Sequence, residues 1–280
     1  MSFGLINRII DQSLVDGPGN RTVIFLQGCN LNCHYCHNPE TINRCLNCGA
    51  CVLTCPSAAL RLLDGKVLYD PTRCCQCDTC LKTCPHSSSP KTKIMSDEQV
   101  FQHILLNQAF IRGITVSGGE CTLQPEFIKA LFKRTKTAGL SNLLDSNGTY
   151  DFEHNPDILA DCDGVMLDIK AYNSDDHQAI TDHDNQRILY NARWLAEQGQ
   201  LSEIRTVIIP EMLDNKGTIQ KIAQLLAPYL SQHQINYKLI KYRPFGVRSR
   251  YQTFPLPDNR LMQELARIAA DAGFKHITII

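Results

Sequence analysis

Thr22-Val23-Ile24-Phe25-Leu26-Gln27-Gly28-Cys29-Asn30-Leu31-Asn32-Cys33-His34-Tyr35-Cys36 sets a β-branched and aromatic run directly before three cysteines. Residues 22–26 read as a first strand, so Cys29, Cys33 and Cys36 fall at its C-terminal end in C-x3-C-x2-C spacing. A cubic iron–sulfur cluster is normally held by four thiolates. Three leave one iron open to a further ligand, which is the mark of a cluster that does chemistry.

Two more runs follow, Cys45, Cys48, Cys51, Cys55 and Cys74, Cys77, Cys80, Cys84, each continued by proline (Pro56, Pro85). Both read C-x2-C-x2-C-x3-C-P, the spacing of bacterial two-cluster ferredoxins, in which the fourth cysteine ligates the other cluster. That assigns Cys45, Cys48, Cys51 with Cys84, and Cys74, Cys77, Cys80 with Cys55. Four thiolates close a cluster and leave electron transfer as its task. Zinc is the competing reading, since His34 or His37 could complete a site with the first three cysteines. The repeated ferredoxin spacing favours iron throughout. Cys75, Cys121 and Cys162 fit no spacing and read as bystanders.

Bulk properties are compatible. Lys plus Arg and Asp plus Glu are both 28 in 280 residues, which gives no charge bias toward nucleic acid. Cysteine at about 5% is below the density of a disulfide-stapled secreted domain. The opening residues lack a basic stretch leading into a long apolar one, and no apolar run approaches a membrane span. The expectation is a cytoplasmic, monomeric protein of an anaerobically growing cell.

Residues 44–90 read as an inserted ferredoxin-like unit whose halves repeat one pattern, closed by Ser87-Ser88-Ser89-Pro90. Beyond it strands and helices alternate. Ser96 with Gln99 predicts a capping box opening a helix to about Gln108. Ile114-Thr115-Val116 predicts a strand and Pro125 to about Lys136 a helix. Further strands are expected at Leu143-Leu144, 165–167, 204–209, Leu239-Ile240 and 276–280, with a helix through Arg193, Trp194 and Leu195. This is an α/β chain with a parallel sheet, open or rolled into a barrel, whose chemistry sits at the C-terminal strand ends. Those ends carry Ser117-Gly118-Gly119-Glu120, Asp145-Ser146-Asn147-Gly148, and Asp168 with Lys170. Taken one at a time, each could be a turn or a rim ion pair.

The run Cys29 to Cys36 followed by His37-Asn38, with Gly118-Gly119-Glu120 downstream, resembles the radical S-adenosylmethionine enzymes. Asp16-Gly17-Pro18-Gly19-Asn20-Arg21, 114–121, 144–148 and 166–170 narrow the resemblance to the activating enzymes of glycyl radical enzymes, and the insert to their larger, YjjW-like type. The resemblance implies a partial (β/α)6 TIM-like barrel from residues 1–43 and 91–280, interrupted by the two-cluster insert. It also implies three [4Fe–4S] clusters, S-adenosylmethionine and a monovalent cation. Cys29, Cys33 and Cys36 would hold the catalytic cluster. Tyr35, Asn38, Gly118, Gly119, Glu120, Ser146, Asp168, Lys170, Arg205 and Arg243 would contact the cosubstrate. The cation would lie at Asp145, Ser146, Met166 and Asp168. Asp16, Gly17 and Arg21 would hold the target peptide.

One departure stands out: Lys241-Tyr242-Arg243 replaces the Pro-Tyr-His of many relatives, and arginine cannot give up a proton as histidine can. The basic residues Lys238, Lys241, Arg243, Arg248 and Arg250 read either as a docking face or as a solvated rim. The implied partners are a glycyl radical enzyme and a flavodoxin- or ferredoxin-like electron donor. Two other classes compete. A radical enzyme acting on a small molecule or another peptide would cleave the cosubstrate without making a glycyl radical. An electron-transfer protein would not bind it.

Overall fold

The computed structural model describes residues 1–280. Eleven strands form: β1 (Phe3–Ser13), β2 (Arg21–Leu26), β3 (Leu60–Leu63), β4 (Lys66–Tyr69), β5 (Lys93–Ser96), β6 (Gly113–Gly118), β7 (Ser141–Ser146), β8 (Gly164–Asp168), β9 (Leu201–Ile208), β10 (Asn236–Lys241) and β11 (Ile277–Ile279). The helices are α1 (Thr79–Thr83), α2 (Asp97–Leu105), α3 (Pro125–Thr137), α4 (Ser174–Thr181), α5 (Gln186–Glu197), α6 (Asn215–Leu226) and α7 (Asn259–Asp271).

Nine strands make one sheet in the order β11-β10-β9-β8-β7-β6-β2-β1-β5. From β2 through β6 to β11 every pairing is parallel, whereas β1 is antiparallel to both β2 and β5. This is the barrel-like parallel sheet of the expected α/β class, and it stays open, with β11 and β5 as its edges. Five of the six strand-to-strand connections carry a helix; between β7 and β8 only the short turn Pro156–Leu159 is helical.

Alternation along the strands separates the two faces. Ile114 and Val116, Leu144, Val165 and Leu167, Ile204 and Ile208, and Tyr237 and Leu239 join one apolar core with Phe127, Phe132, Ile188, Leu195, Ile222 and Leu265 of the covering helices. Their strand neighbours Thr115, Ser117, Asp145, Met166, Asp168, Glu203, Arg205 and Lys238 belong to the opposite, inner face. Burial of the first set drives the fold, at about 1.5–3 kcal/mol per large apolar side chain. The second set is free to carry chemistry.

Local signals match the elements. Ser96 caps α2, its hydroxyl accepting from Gln99 N at 3.1 Å while Gln99 Oε1 accepts from Ser96 N at 2.9 Å. The helix stops at Leu105, short of the expected Gln108. Helix α3 opens on Pro125, whose missing N–H costs nothing in the first turn. No helix is long and apolar enough to cross a membrane.

Residues 44–90 leave the sheet after Asn43 and return beside it, with Asn43 and Ser88 forming a bridge. The β3–β4 hairpin and the short α1 enclose a small cluster of Cys51, Leu60 and Cys80. The two halves share their backbone as well as their cysteines. Asn47 and Gln76, two residues after the first cysteine of each run, are both left-handed, at φ 58° and 56°. Gly49 and Asp78, four residues after it, are left-handed too, as are Ala58 and Ser87, three residues after each last cysteine. Non-glycine residues rarely adopt this conformation, so its recurrence at three matched offsets is a repeat in three dimensions.

Candidate active site

The loop Gly28–Asn38 leaves the end of β2 and is tied on every side. Gly28 N and Cys29 N donate to Thr41 O at 2.8 Å and Ile42 O at 2.9 Å. Asn32 N and His34 N donate to Thr181 O at 3.1 Å and Ile180 O at 2.8 Å, which satisfies carbonyls left free at the end of α4. From the segment after β10, Tyr251 stacks on His34 with ring centroids 4.1 Å apart. In that same segment Arg243 O accepts from the His37 ring at 3.0 Å. A loop pinned this way presents Cys29, Cys33 and Cys36 in a fixed arrangement.

Burial pushes the Cys29 and Cys36 thiols up to about 12, and Cys33 in the same direction, with Lys170 and Arg248 pulling the last one down. Binding a metal–sulfur group would therefore release protons. Leu31 N already points at Cys29 Sγ, 3.4 Å away, and Asn147 Nδ2 lies 3.9 Å from it. Amide donors aimed at sulfur, three thiols on one loop and cations alongside make a donor set that fits an iron–sulfur cluster.

The inner face beside this loop is a chain of buried charges. Lys238 Nζ donates to Glu203 Oε1 at 2.9 Å and to Val15 O at 3.2 Å. Glu203 Oε1 also accepts from Arg205 Nε at 2.6 Å, and Arg205 Nη1 reaches Asp145 Oδ2 at 2.9 Å. Ser117 Oγ completes the series at Asp145 Oδ2, 2.8 Å. Lys170 Nζ pairs with Asp168 Oδ2 at 2.8 Å and lies 5.9 Å from the Tyr35 ring centroid. Burial works against the Lys170 charge, but Asp168 and the nearby Cys33 hold its pKa well above the usual lysine range.

The expected site residues divide under this geometry. Asp168, Lys170 and Tyr35 gather beside the cysteine loop. Tyr35, however, packs its ring among Ala171, Ile180, Leu213 and Tyr242, and its buried hydroxyl has no partner. A base-stacking role from that ring is excluded, and any adenine contact would come through its main chain. Gly118 and Gly119 fit where no side chain could: a Cβ would meet Leu26 O at 2.2 Å and Gly28 O at 2.3 Å respectively. Glu120 is wholly buried, and its carboxylate already accepts from Thr122 N, Thr122 Oγ1, Ser146 Oγ and Asn147 N at 2.5–3.1 Å. It braces the ends of β6 and β7, with three of these bonds on Oε1 and only that from Asn147 N on Oε2. At the expected cation position, Ser146 is committed to Glu120 and the Met166 sulfur lies 2.9 Å from Arg205 Nη2. Only the carboxylates of Asp145 and Asp168 offer side-chain oxygen there.

Three expectations are corrected. Arg21 is 1% exposed, at the N-terminal start of β2, and donates to Thr115 Oγ1, Ile114 O, Pro18 O, and Ser141 O and Oγ. It cannot touch a partner peptide; burial beside Arg112 lowers its pKa to about 10. Of the expected peptide contacts, Asp16 and Gly17 are half-exposed, with Asp16 O accepting from Thr115 Oγ1 at 2.6 Å. Neither reading of the basic residues, docking face or solvated rim, takes in the whole set: Lys238 is buried on the inner face, Lys241 reaches Asn259 Oδ1 at 2.5 Å, and Arg248 turns onto the cysteine loop. Arg243 is exposed, and Asn38 Oδ1 accepts from Arg8 Nη2 at 2.9 Å, so neither side chain is aimed at the loop's interior. Glu203 belongs to the site and was not singled out by the sequence; Asn147 was read only as part of a strand-end run and Arg248 only as part of the basic set, and both lie at the cysteine loop.

In the insert, one concavity is bordered by Cys55, Cys74, Cys75, Cys77 and Cys80. A second is bordered by Cys45, Cys48, Cys51 and Cys84.

Comparison with known proteins places this architecture. The radical SAM superfamily model matches residues 23–226. A pyruvate formate-lyase-activating enzyme of Clostridium pasteurianum is 30% identical over 91% of this chain and 89% of its own length. The isethionate sulfite-lyase activating enzyme of Desulfovibrio desulfuricans is 31% identical over 88% and 85%. Among solved structures, a domain of a pyruvate-formate lyase-activating enzyme from Bacteroides vulgatus aligns with TM-score 0.51 and 26% identity over 60% of this chain and 98% of its own. With a cysteine loop at the end of β2, charged groups on the inner face and relatives of this kind, the chain belongs to the radical SAM superfamily and, within it, to the activating enzymes of glycyl radical enzymes.

Proposed function

We propose that this chain installs the radical on a partner glycyl radical enzyme, using a catalytic cluster at Cys29, Cys33 and Cys36 and two further [4Fe–4S] clusters in residues 44–90. The observation that carries the site assignment is the three-thiol loop held between α4, the segment after β10 and the inner face. Bound there and reduced by one electron, S-adenosylmethionine supplies the 5′-deoxyadenosyl radical that removes a glycine α-hydrogen, leaving methionine and 5′-deoxyadenosine.

The protein's own part is positioning and exclusion of water. Lys170 and Arg205 supply positive charge for the cosubstrate carboxylate. Asp168 orients Lys170, and Glu203 with Asp145 orients Arg205. Gly118 and Gly119 keep the β6 end flush against β2, so that main-chain groups can reach the ligand amine. Asp145 and Asp168 are the carboxylates that would hold a monovalent cation. Asp16 and Gly17 lie in a loop tied to the inner face through Thr115 and Lys238, which supports a role in receiving the target peptide. The borders of the two insert concavities support the crossed ligation Cys45, Cys48, Cys51, Cys84 and Cys55, Cys74, Cys77, Cys80. A flavodoxin- or ferredoxin-like donor supplies the electron. The two relatives named above act on different lyases at nearly equal identity, so the proposal names the class of partner.

The test is an anaerobic assay of reconstituted protein with S-adenosylmethionine and a strong reductant, wild type beside Cys33→Ala. Formation of 5′-deoxyadenosine by wild type alone supports the site. Adding a candidate glycyl radical enzyme should then produce its radical signal. Cleavage that never yields a partner radical, with any candidate, points to a radical enzyme of another substrate class. Absence of cleavage by fully loaded wild type points to electron transfer alone.

A further inference from the structure

Arg248 lies in the segment after β10, away in sequence from every cysteine, yet its guanidinium closes over the catalytic loop. Nη1 donates to Asn32 Oδ1 at 2.6 Å, and Nη2 to Asn32 O at 3.1 Å and Cys33 O at 2.8 Å. The Tyr251 ring that stacks on His34 also lies under the guanidinium, 5.1 Å from its centroid. Nε is buried and has no partner.

The cations of the inner face are paired, and Arg250, 4.7 Å from the centroid of the same Tyr251 ring, is exposed. Lys170 has Asp168, Arg205 has Asp145 and Glu203, and Lys238 has Glu203. All of Arg248's bonds go to neutral oxygens. The carboxylate on that side, Asp182, is taken by Asn32 Nδ2 at 2.7 Å, so the Asn32 side chain stands between acid and base. An unpaired guanidinium at the Cys33 main chain leaves its charge available to whatever anion the loop carries.

We propose that Arg248 is a positioning residue that locks the Asn32–Cys33 main chain, and that its uncompensated charge favours the reduced, more negative form of the catalytic cluster. This rests on the site assignment above. Reduction adds an electron to an anionic group in a partly buried loop, and a fixed cation nearby stabilises the product more than the reactant. A paired cation would do so far less, because its partner cancels most of the field.

The experiment is a redox titration of the full, reconstituted protein, following by electron paramagnetic resonance the signal that S-adenosylmethionine perturbs. Wild type is compared with Arg248→Gln and Arg248→Lys. In Arg248→Gln the reduction equilibrium should fall roughly tenfold, a midpoint about 59 mV more negative for one electron. Arg248→Lys keeps the charge without the fork. It should titrate within about threefold of wild type while losing iron from this site faster to a chelator. Equal midpoints in wild type and Arg248→Gln overturn the electrostatic role, whatever happens to iron content. A shift of tenfold or more in Arg248→Lys overturns it too, and that outcome remains decisive if the glutamine variant loses its cluster. A wild-type protein with no signal sensitive to S-adenosylmethionine overturns the site assignment itself and this role with it.

Discussion

Glu120 shows how the surroundings of a motif residue are set by a distant strand. The Gly118-Gly119-Glu120 motif is visible in sequence as a strand end, but its meaning depends on where Ser146 and Asn147 arrive from β7. Those partners are 26 and 27 residues away and cannot be read from the motif. Burial pushes the carboxyl pKa up, opposed by the bonds from Thr122, Asn147 and Ser146. Replacing Glu120 by glutamine keeps one oxygen acceptor and turns an NH2 toward a main-chain or hydroxyl donor. Glu120→Gln should cost about 1–3 kcal/mol of stability, read from denaturant unfolding. Unchanged stability with impaired cosubstrate binding would assign Glu120 a direct ligand role instead. Arg21 and Arg248 teach the same lesson from opposite ends. One looks like a binding residue and is buried in main-chain oxygens, whereas the other looks like surface charge and lies on the cysteine loop. An arginine's identity is visible in sequence; the carbonyls that will surround it belong to segments up to 216 residues away.

Helix α4 links the catalytic loop to solution pH. Its N-terminus is capped by Asn173 Oδ1, which accepts from Asp175 N at 2.8 Å and Asp176 N at 3.1 Å, and its C-terminal carbonyls hold the cysteine loop. Inside it His177 is fully buried, with Nδ1 2.7 Å from His183 O and Nε2 without a partner. Burial lowers its pKa below the usual 6.5, and the His183 carbonyl only partly offsets this. Lys170 and the His183 ring also lower it, and Asp184 raises it. The unfolded chain therefore binds a proton first as pH falls, so the stabilisation is full above about 6.5 and is lost on acidification below it. The thermal midpoint of wild type should drop more between pH 7.5 and 5.5 than that of His177→Gln; equal slopes would remove His177 as the cause. The parallel strands were legible because their outer faces present apolar residues at every second position. Strands β1 and β5 were not, since an edge pair with exposed Phe3 and Ile94 lacks that pattern, and β3–β4 is four residues a side.

At the scale of the whole molecule, the cysteine spacings of residues 44–90 read as two copies of one pattern, and the backbone there repeats itself at matched offsets. The crossed grouping expected from the spacing is the grouping of cysteines around the two concavities. The crossed arrangement gives a direct prediction. Cys48→Ser and Cys84→Ser should abolish the same resonance signal, and Cys77→Ser and Cys55→Ser the other, each with loss of about four of roughly twelve irons. Cys84→Ser grouping with Cys77→Ser would refute it. All four variants should still form 5′-deoxyadenosine with a chemical reductant, because the Cys29 loop is built from other elements.

The sheet that organises this chain never closes: β11 and β5 end it without meeting. A closed ring would admit a loop only through one of its mouths. An arc has no such requirement. It can take the bight of a loop sideways, as a hook takes a rope, and let it go again with both of its strands still anchored in their own fold.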